Sequence, residues 1–316
     1  MKTFDIKKVA VIGTGTMGPG IAQVLAQHEI DVQIFDIDPK QVKKARETLG
    51  ANLSLMQQSD MLSDAKALEI QNRIKDAASL ADAVLDADLI LEVIPEVMDL
   101  KTRLLSELDE ICGPDTILAS NTSGLSITKM AQATQRPEKV VGMHWWNPPI
   151  IIPVIEIVKG ELTGENVLQT IDHLIRKIGK VPVLVKKDVP GFLGNRLQYA
   201  LMREAIALLN EGVASAEDID TMIKAGIGFK FPVMGPLETI DMAGLDIYYR
   251  VSQYLNKELD KSEGAAPIVA KMVEQGDLGL KSGKGFYDYS NQDVKALMGG
   301  RIKKLLLLLK ELGYVK

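Results

Sequence analysis

Residues 7–18 read Lys7-Lys8-Val9-Ala10-Val11-Ile12-Gly13-Thr14-Gly15-Thr16-Met17-Gly18, a short apolar run that enters a Gly-x-Gly-x-x-Gly turn. Gly13 permits a tight turn after the first strand, Gly15 lets the backbone approach a pyrophosphate, and Gly18 allows the following helix to pack closely on the strand. The free N–H groups and partial positive charge of that helix start, with Thr16 and Met17 in its approach, suit phosphate. The glycines alone are a weak signal, but the unit around them is complete. A helical pattern follows, then a second apolar strand ending at Asp36, where a carboxylate can bond both ribose hydroxyls of an adenosine. Asp36 would repel a 2′-phosphate, and no Arg follows it in Ile37-Asp38-Pro39-Lys40, so NAD is expected over NADP. Nothing else in the chain suggests a flavin ring site.

Outward from this unit, strands are expected over 9–13, 32–36, 89–93, 117–120 and 140–144, with helices over 21–28, 41–55, 100–111 and 127–133. Apolar strands alternating with helices imply a parallel sheet covered on both faces. Two further strands, 153–158 and 181–185, flank a helix that starts near Glu165. Lys186-Lys187-Asp188-Val189-Pro190-Gly191 then marks a boundary, and the helical periodicity over 196–211, 216–225 and 245–255 has no strand signal among it. The expected fold class is α/β: a Rossmann-type dinucleotide-binding domain over 1–187, followed by an all-helical C-terminal domain over 188–316.

The 316 residues exceed one ordinary core, and 46% hydrophobic with 25% charged residues is the mix of a folded soluble protein. A net charge of -5 disfavours polyanionic partners, so neither nucleic acid nor a membrane surface is expected. Cys112 is the single cysteine, which excludes an intrachain disulfide and points to a reducing cytoplasm. The first strand begins too early to leave room for a cleavable leader, and no apolar run has the length of a membrane span. Leu305–Leu309, flanked by Arg301, Lys303, Lys304 and Lys310, reads as a helix packed on a core or on a partner subunit.

Of three histidines, His28 at a helix end and His173 on a charged helical stretch have structural readings. His144 ends the apolar run Val140-Val141-Gly142-Met143, just before the chain breaks at Trp145-Trp146-Asn147-Pro148-Pro149. Ligands of a parallel sheet sit beyond the carboxyl ends of its strands. A neutral imidazole there can take a proton from an alcohol near neutral pH. Glu156, within Pro153-Val154-Ile155-Glu156-Ile157-Val158, needs a partner among such neighbours. Spacing alone leaves open whether it folds back onto His144 as an orienting carboxylate or faces solvent. One cysteine and three scattered histidines suggest no metal site.

With these residues in view, the chain resembles the L-3-hydroxyacyl-CoA dehydrogenase family over nearly its whole length. The segments that carry the likeness are 13–20, 88–101, 120–126, 144–156, 188–196 and 279–289, in the family's order. The resemblance implies that His144 is the general base and that Glu156 pairs with it. It further implies that Ser123 and Asn195 hold the substrate oxygen, and that Glu96, Lys101 and Asn147 lie around the nicotinamide and its ribose. It implies a dimer made through the helical domain, with NAD accepting hydride from a secondary alcohol of a 3-hydroxyacyl-CoA.

Two features depart from that pattern. Acyl-CoA enzymes of the family often carry lysines after the second helix, near the CoA phosphates, whereas residues 51–61 here contain no basic residue. Lys43, Lys44, Arg46 and Lys66 are the remaining candidates for that role. Trp145-Trp146 and the long approach Phe229-Lys230-Phe231-Pro232-Val233-Met234-Gly235-Pro236 are similar to the branch that oxidises free hydroxy compounds, a pyridine carboxylate among them. The alternative substrate is thus a free hydroxy acid or ring-borne alcohol. A non-catalytic NAD-binding structural or sensor protein is a second alternative, opposed by the intact set Ser123, His144, Glu156 and Asn195.

Overall fold

The computed structural model describes residues 5–59 and 61–314. Contacts divide the chain into two compact units, Met1–Asn195 with Lys303–Lys316, and Arg196–Ile302.

The first unit is built on one eight-stranded sheet of order β3-β2-β1-β4-β5-β6-β7-β8. The strands are β1 (Lys8–Ile12), β2 (Asp31–Phe35), β3 (Ile74–Asp76), β4 (Leu89–Glu92), β5 (Ile117–Ser120), β6 (Val140–Trp145), β7 (Val154–Val158) and β8 (Val181–Val185). The helices are α1 (Gly18–Gln27), α2 (Pro39–Gln58), α3 (Asp64–Arg73), α4 (Leu80–Val84), α5 (Met98–Ile111), α6 (Ile127–Ala131) and α7 (Glu165–Lys177). Side chains alternate across each strand, so both sheet faces are apolar. Val9, Val11, Leu89 and Leu91 pack with Ile21, Leu25, Leu49, Ile70 and Ile171 of α1, α2, α3 and α7. Ala10, Ile12, Ile90 and Leu118 pack with Val84, Leu105, Leu108 and Met130 of α4, α5 and α6. Helix starts are legible in the local chemistry. Asp38 accepts from the Lys40 N–H with Pro39 in the first turn of α2, and Ser63, Ser79 and Ser126 cap α3, α4 and α6 likewise.

The parallel sheet read from the first five strands holds through β6, and the direction of the two further strands is set by the structure. Strands β1 to β6 are parallel, but β7 pairs with β6 antiparallel, and β8 then runs parallel to β7. The physical reason is the connection: residues 146–153 contain no crossover helix, and a parallel return needs a dozen residues or more. The pairing sets His144 directly opposite Glu156. Three elements carried no readable pattern: α3, the three-residue edge strand β3 and the five-residue α4.

The second unit contains the helices Ala216–Met222, Pro236–Ala243, Leu245–Glu258 and Pro267–Glu274, with a π-helical turn at Ile223–Ile227. Most of α8 (Gly194–Asn210) also belongs to it. The family-like segment 279–289 folds as a bridged turn rather than a helix. Gly279 pairs with Lys284, and Lys284 with Asp288. The Tyr287 hydroxyl donates to the Ala216 carbonyl and to Asp220. None of these helices has a buried residue.

Candidate active site

The sheet order reverses between β1 and β4, and a cleft of about 890 Å³ opens beyond the carboxyl ends of those strands. Gly13, Gly15, Thr16, Met17 and Asp36 line it, as do Glu96, Asn121 and Ser123. The glycines fit a dinucleotide for distinct reasons. Gly13 has φ +104°, and a methyl group there would stand 2.6 Å from the Val93 carbonyl oxygen. Gly15 faces open space, so its backbone is free to approach phosphate. Gly18 lies behind the cleft wall, where a methyl group would overlap the Gly13 carbonyl. Helix α1 has no side-chain cap and no acidic residue in its first turn, which leaves its N–H groups and dipole for an anion. Asp36 borders the cleft with Oδ2 accepting from the Thr14 N–H at 2.8 Å and the Thr14 hydroxyl at 3.1 Å.

Beneath this cleft lies a buried polar network. Glu92 ends β4 with no exposure, and Lys101 on α5 is 1% exposed. The Lys101 ammonium donates to Glu92 Oε1 at 2.6 Å and to the Ile94 carbonyl at 3.1 Å, and stands 3.5 Å from Glu96. The other Glu92 oxygen accepts from the Ser120 hydroxyl at 2.5 Å. Glu96 Oε1 accepts from the Thr122 hydroxyl at 2.6 Å and the Ser123 N–H at 2.9 Å. Lys101 thus sits under the floor of the cleft and acts on it through Glu96.

The second constellation faces the α4–α6 side of the sheet. His144 and Glu156 are 4% and 2% exposed, with Nδ1 2.7 Å from Glu156 Oε2. The opposite oxygen, Oε1, accepts the N–H groups of Leu193 at 3.0 Å and Gly194 at 2.9 Å. Gly191 (φ +75°) and Phe192 (φ +51°) turn the chain so that both N–H groups converge. A left-handed Phe costs about 1–3 kcal/mol. Burial of its ring, edge-on to His144 at 5.8 Å between centroids, offsets this. Burial pushes the Glu156 carboxyl up, but the hydrogen bonds from His144 and from the two N–H groups outweigh it, so its pKa lies below the ordinary range. The carboxylate stabilises the fold at neutral pH, and that contribution is lost as pH falls through the lowered range.

The short connection after His144 is also pinned. The Lys180 ammonium donates to the Pro149 and Ile152 carbonyls, each at 2.8 Å, and burial pushes its pKa down to about 8. The Asn121 side chain accepts the Trp145 N–H at 2.8 Å.

Residues 193–195 join the constellations. Gly194 holds Glu156, and the next residue, Asn195, donates to the Ser123 carbonyl at 2.8 Å. Asn147 is exposed after β6 and does not line the cleft. Sequence reading missed Glu92, Thr14, Thr122 and the indole of Trp146. Glu92 did carry a signal: a charge closing the apolar run Leu89-Ile90-Leu91, with a lysine nine residues on. Among the described residues no cluster could hold a metal ion, and no helix is long and apolar enough to cross a membrane.

Fold and cleft together define a dinucleotide-dependent dehydrogenase. The model of the 3-hydroxyacyl-CoA dehydrogenase NAD-binding domain matches residues 8–189, and that of its C-terminal domain matches residues 191–289. The chain is 43% identical to the 5-formyl-3-hydroxy-2-methylpyridine 4-carboxylate 5-dehydrogenase of Mesorhizobium japonicum, over 95% of this chain and 96% of that protein. It is 38% identical to a probable 3-hydroxybutyryl-CoA dehydrogenase of Bacillus subtilis, over 92% and 99%. Among solved structures, a dehydrogenase of that same pyridine acid, described as an NAD+-dependent dismutase, superposes with TM-score 0.90 at 42% identity, covering 98% of this chain and 99% of the other. The (S)-3-hydroxybutyryl-CoA dehydrogenase of Ralstonia eutropha gives 0.75 at 36%, covering 91% and 100%. The chain belongs to the 3-hydroxyacyl-CoA dehydrogenase family, and it is an NAD-dependent enzyme.

Asp36 yields a prediction on cofactor choice. Two unit charges about 4 Å apart repel by about 4 kcal/mol at an effective dielectric of 20. Catalytic efficiency with NADP is therefore expected to fall below that with NAD by about 10²-fold or more, and Asp36→Ser should narrow the gap. Equal use of both cofactors by the unaltered enzyme would show that Asp36 does not face the ribose.

Proposed function

We propose that this enzyme oxidises a secondary alcohol to a ketone, with His144 as general base. The observation that carries the reading is the 2.7 Å contact between His144 Nδ1 and Glu156. It fixes the proton on Nδ1 and leaves the Nε2 lone pair to take the hydroxyl proton; the carboxylate then stabilises the imidazolium. NAD, when bound, supplies the hydride acceptor. Ser123 and Asn195, already hydrogen-bonded to each other, hold the substrate oxygen in line. Gly13, Gly15, Thr16, Met17, Gly18 and Asp36 take the adenosine and pyrophosphate. Glu96 takes the nicotinamide ribose, with Lys101 behind it and Asn147 on the nicotinamide side. Residues 1–187 serve as the cofactor domain and 188–316 as the substrate and dimerisation domain. The helical unit leaves Tyr199, Phe229, Val233, Leu237 and Met242 from 69% to 78% exposed, an apolar surface suited to a second copy of the chain. Its compartment is the cytoplasm, with which the free thiol of Cys112 agrees.

The lead substrate class is a 3-hydroxyacyl-CoA, the chemistry of the family. A free hydroxy acid or a ring-borne alcohol, without CoA, is the second reading; a hydroxymethyl group on a ring would give an aldehyde in place of the ketone. Specific observations favour a substrate without CoA: the higher identity and TM-score of the pyridine-carboxylate enzyme, whose name places a formyl group at the position it dehydrogenates, and the state of two of the candidate CoA-binding cations. Arg46 pairs with Asp76 and the Ile74 carbonyl, and Lys66 with Glu69, whereas Lys43 and Lys44 stay exposed on α2. The test is efficiency with 3-hydroxybutyryl-CoA, free 3-hydroxybutyrate and a hydroxymethylpyridine carboxylate across a salt series. A thioester gripped by its phosphates is expected to react best and to lose efficiency as salt screens exposed pairs. If a free compound is turned over as well as the thioester, the lead class is wrong.

A further inference from the structure

The indole of Trp146 stands where it can act on the acid–base pair. Its N–H donates to Glu156 Oε2 at 3.3 Å, the same oxygen that faces His144 Nδ1 at 2.7 Å. The two rings lie 5.5 Å apart between centroids, inclined at 49°. The seat of the indole depends on a missing side chain, because a methyl group at Gly194 would overlap the six-membered ring of Trp146. The connection that carries Trp146 is held from behind by Lys180, and Pro149 packs on Gly20 of α1. Large residue, vacant seat and hydrogen bond therefore belong together.

We infer that Trp146 is a positioning residue that tunes the basicity of His144 by sharing the carboxylate oxygen of Glu156. This rests on the reading of His144 as the base. An acceptor oxygen bonded to two donors spreads its negative charge over both. It therefore holds the imidazolium less firmly than an oxygen reserved for His144 alone. The groups packed on the pair from neighbouring elements are these; the charged ones are Lys180 and Asp188, and the second Asp188 oxygen is buried without a partner among the described residues. Val183 of β8 stands beside Glu156 in register, Phe192 faces the imidazole, and Leu193 and Gly194 offer only backbone N–H groups. Lys180 is spent on two carbonyls, and Asp188 accepts from Ser126 and Thr128 at the start of α6.

The experiment is the pH dependence of kcat/KM, using the best substrate of the series above. Trp146→Phe keeps an aromatic ring and removes the N–H. The acidic limb is expected to move up by about half a pH unit, the scale of one shared hydrogen bond, with the plateau changed by about threefold or less. Gly194→Ala, which unseats the indole, should move the limb the same way, and adding it to Trp146→Phe should move it no further. If Trp146→Phe fails to fold by circular dichroism, benzothienylalanine at position 146, the same shape without the N–H, is measured instead. A limb that superimposes on that of the unaltered enzyme overturns the inference. His144→Gln, run in parallel, separates the two claims. A limb that persists in that variant removes His144 as the base, whereas one that vanishes there and is unmoved by Trp146→Phe refutes only the role of the indole.

Discussion

His144→Gln is expected to slow alcohol oxidation by about 10²–10⁴-fold, the usual worth of a positioned base, while NAD affinity changes by about twofold or less. The asymmetry follows from where the groups lie. The dinucleotide cleft is lined from the ends of β1, β2 and β4 and does not include His144. The imidazole belongs instead to the β6–β7 pair, held by Glu156 and edged by Phe192. Glutamine retains a polar side chain of similar reach but cannot take a proton at neutral pH. Stopped-flow formation of reduced nicotinamide reads the rate, and quenching of intrinsic fluorescence reads NAD binding. Near-normal turnover in this variant would remove His144 from the mechanism.

The second large effect concerns stability. Lys101→Met leaves Glu92 buried, with no exposure and no counter-ion. Breaking a buried ion pair from one side costs about 3–5 kcal/mol, because the remaining charge is uncompensated. Replacing both partners by apolar residues of similar size, Glu92→Leu with Lys101→Met, should recover most of that loss. Urea midpoints followed by circular dichroism test both variants. If the single and double variants are equally destabilised, the pair is not an energetic unit. The double variant also reads function. Lys101 touches Glu96 at 3.5 Å, and Glu96 holds Thr122 and the Ser123 N–H. A refolded double variant with raised KM would show that the network positions the Ser123 loop.

The parts of this molecule that were legible in the sequence are those governed by local chemistry. The glycine turn needs its three glycines for reasons of backbone space, and each reason has a counterpart at Gly13, Gly15 and Gly18. Apolar runs of four to six residues became β1, β2, β4, β5 and β6 because both sheet faces are buried. What escaped was short or non-local. Strand β3 is Ile74-Lys75-Asp76, an edge strand with one buried residue, too brief for any period to show. The reversal of β7 depends on the absence of a crossover helix, which spacing left open together with the partner of Glu156. The antiparallel register pairs Glu156 with His144. Glu92 and Lys101 were harder, since a salt bridge from strand end to the first turn of a helix is a three-dimensional fact. The sequence showed only two charges in apolar company. Trp146 carried a visible oddity, a doubled tryptophan, but its seat over Gly194 lies 48 residues away along the chain and was invisible until the chain was folded.

The most direct test of hydride transfer from an alcohol to NAD follows one atom. The enzyme is mixed with NAD and with substrates carrying deuterium on the carbinol carbon: 3-hydroxybutyryl-CoA labelled at C3, and a labelled hydroxymethylpyridine carboxylate. Reduced nicotinamide is collected and weighed by mass spectrometry. Reduced nicotinamide one deuterium heavier, formed from at least one of the two and at a rate that collapses in His144→Gln, is the predicted result. Reduced nicotinamide from neither substrate, or reduced nicotinamide without the label, would contradict the account.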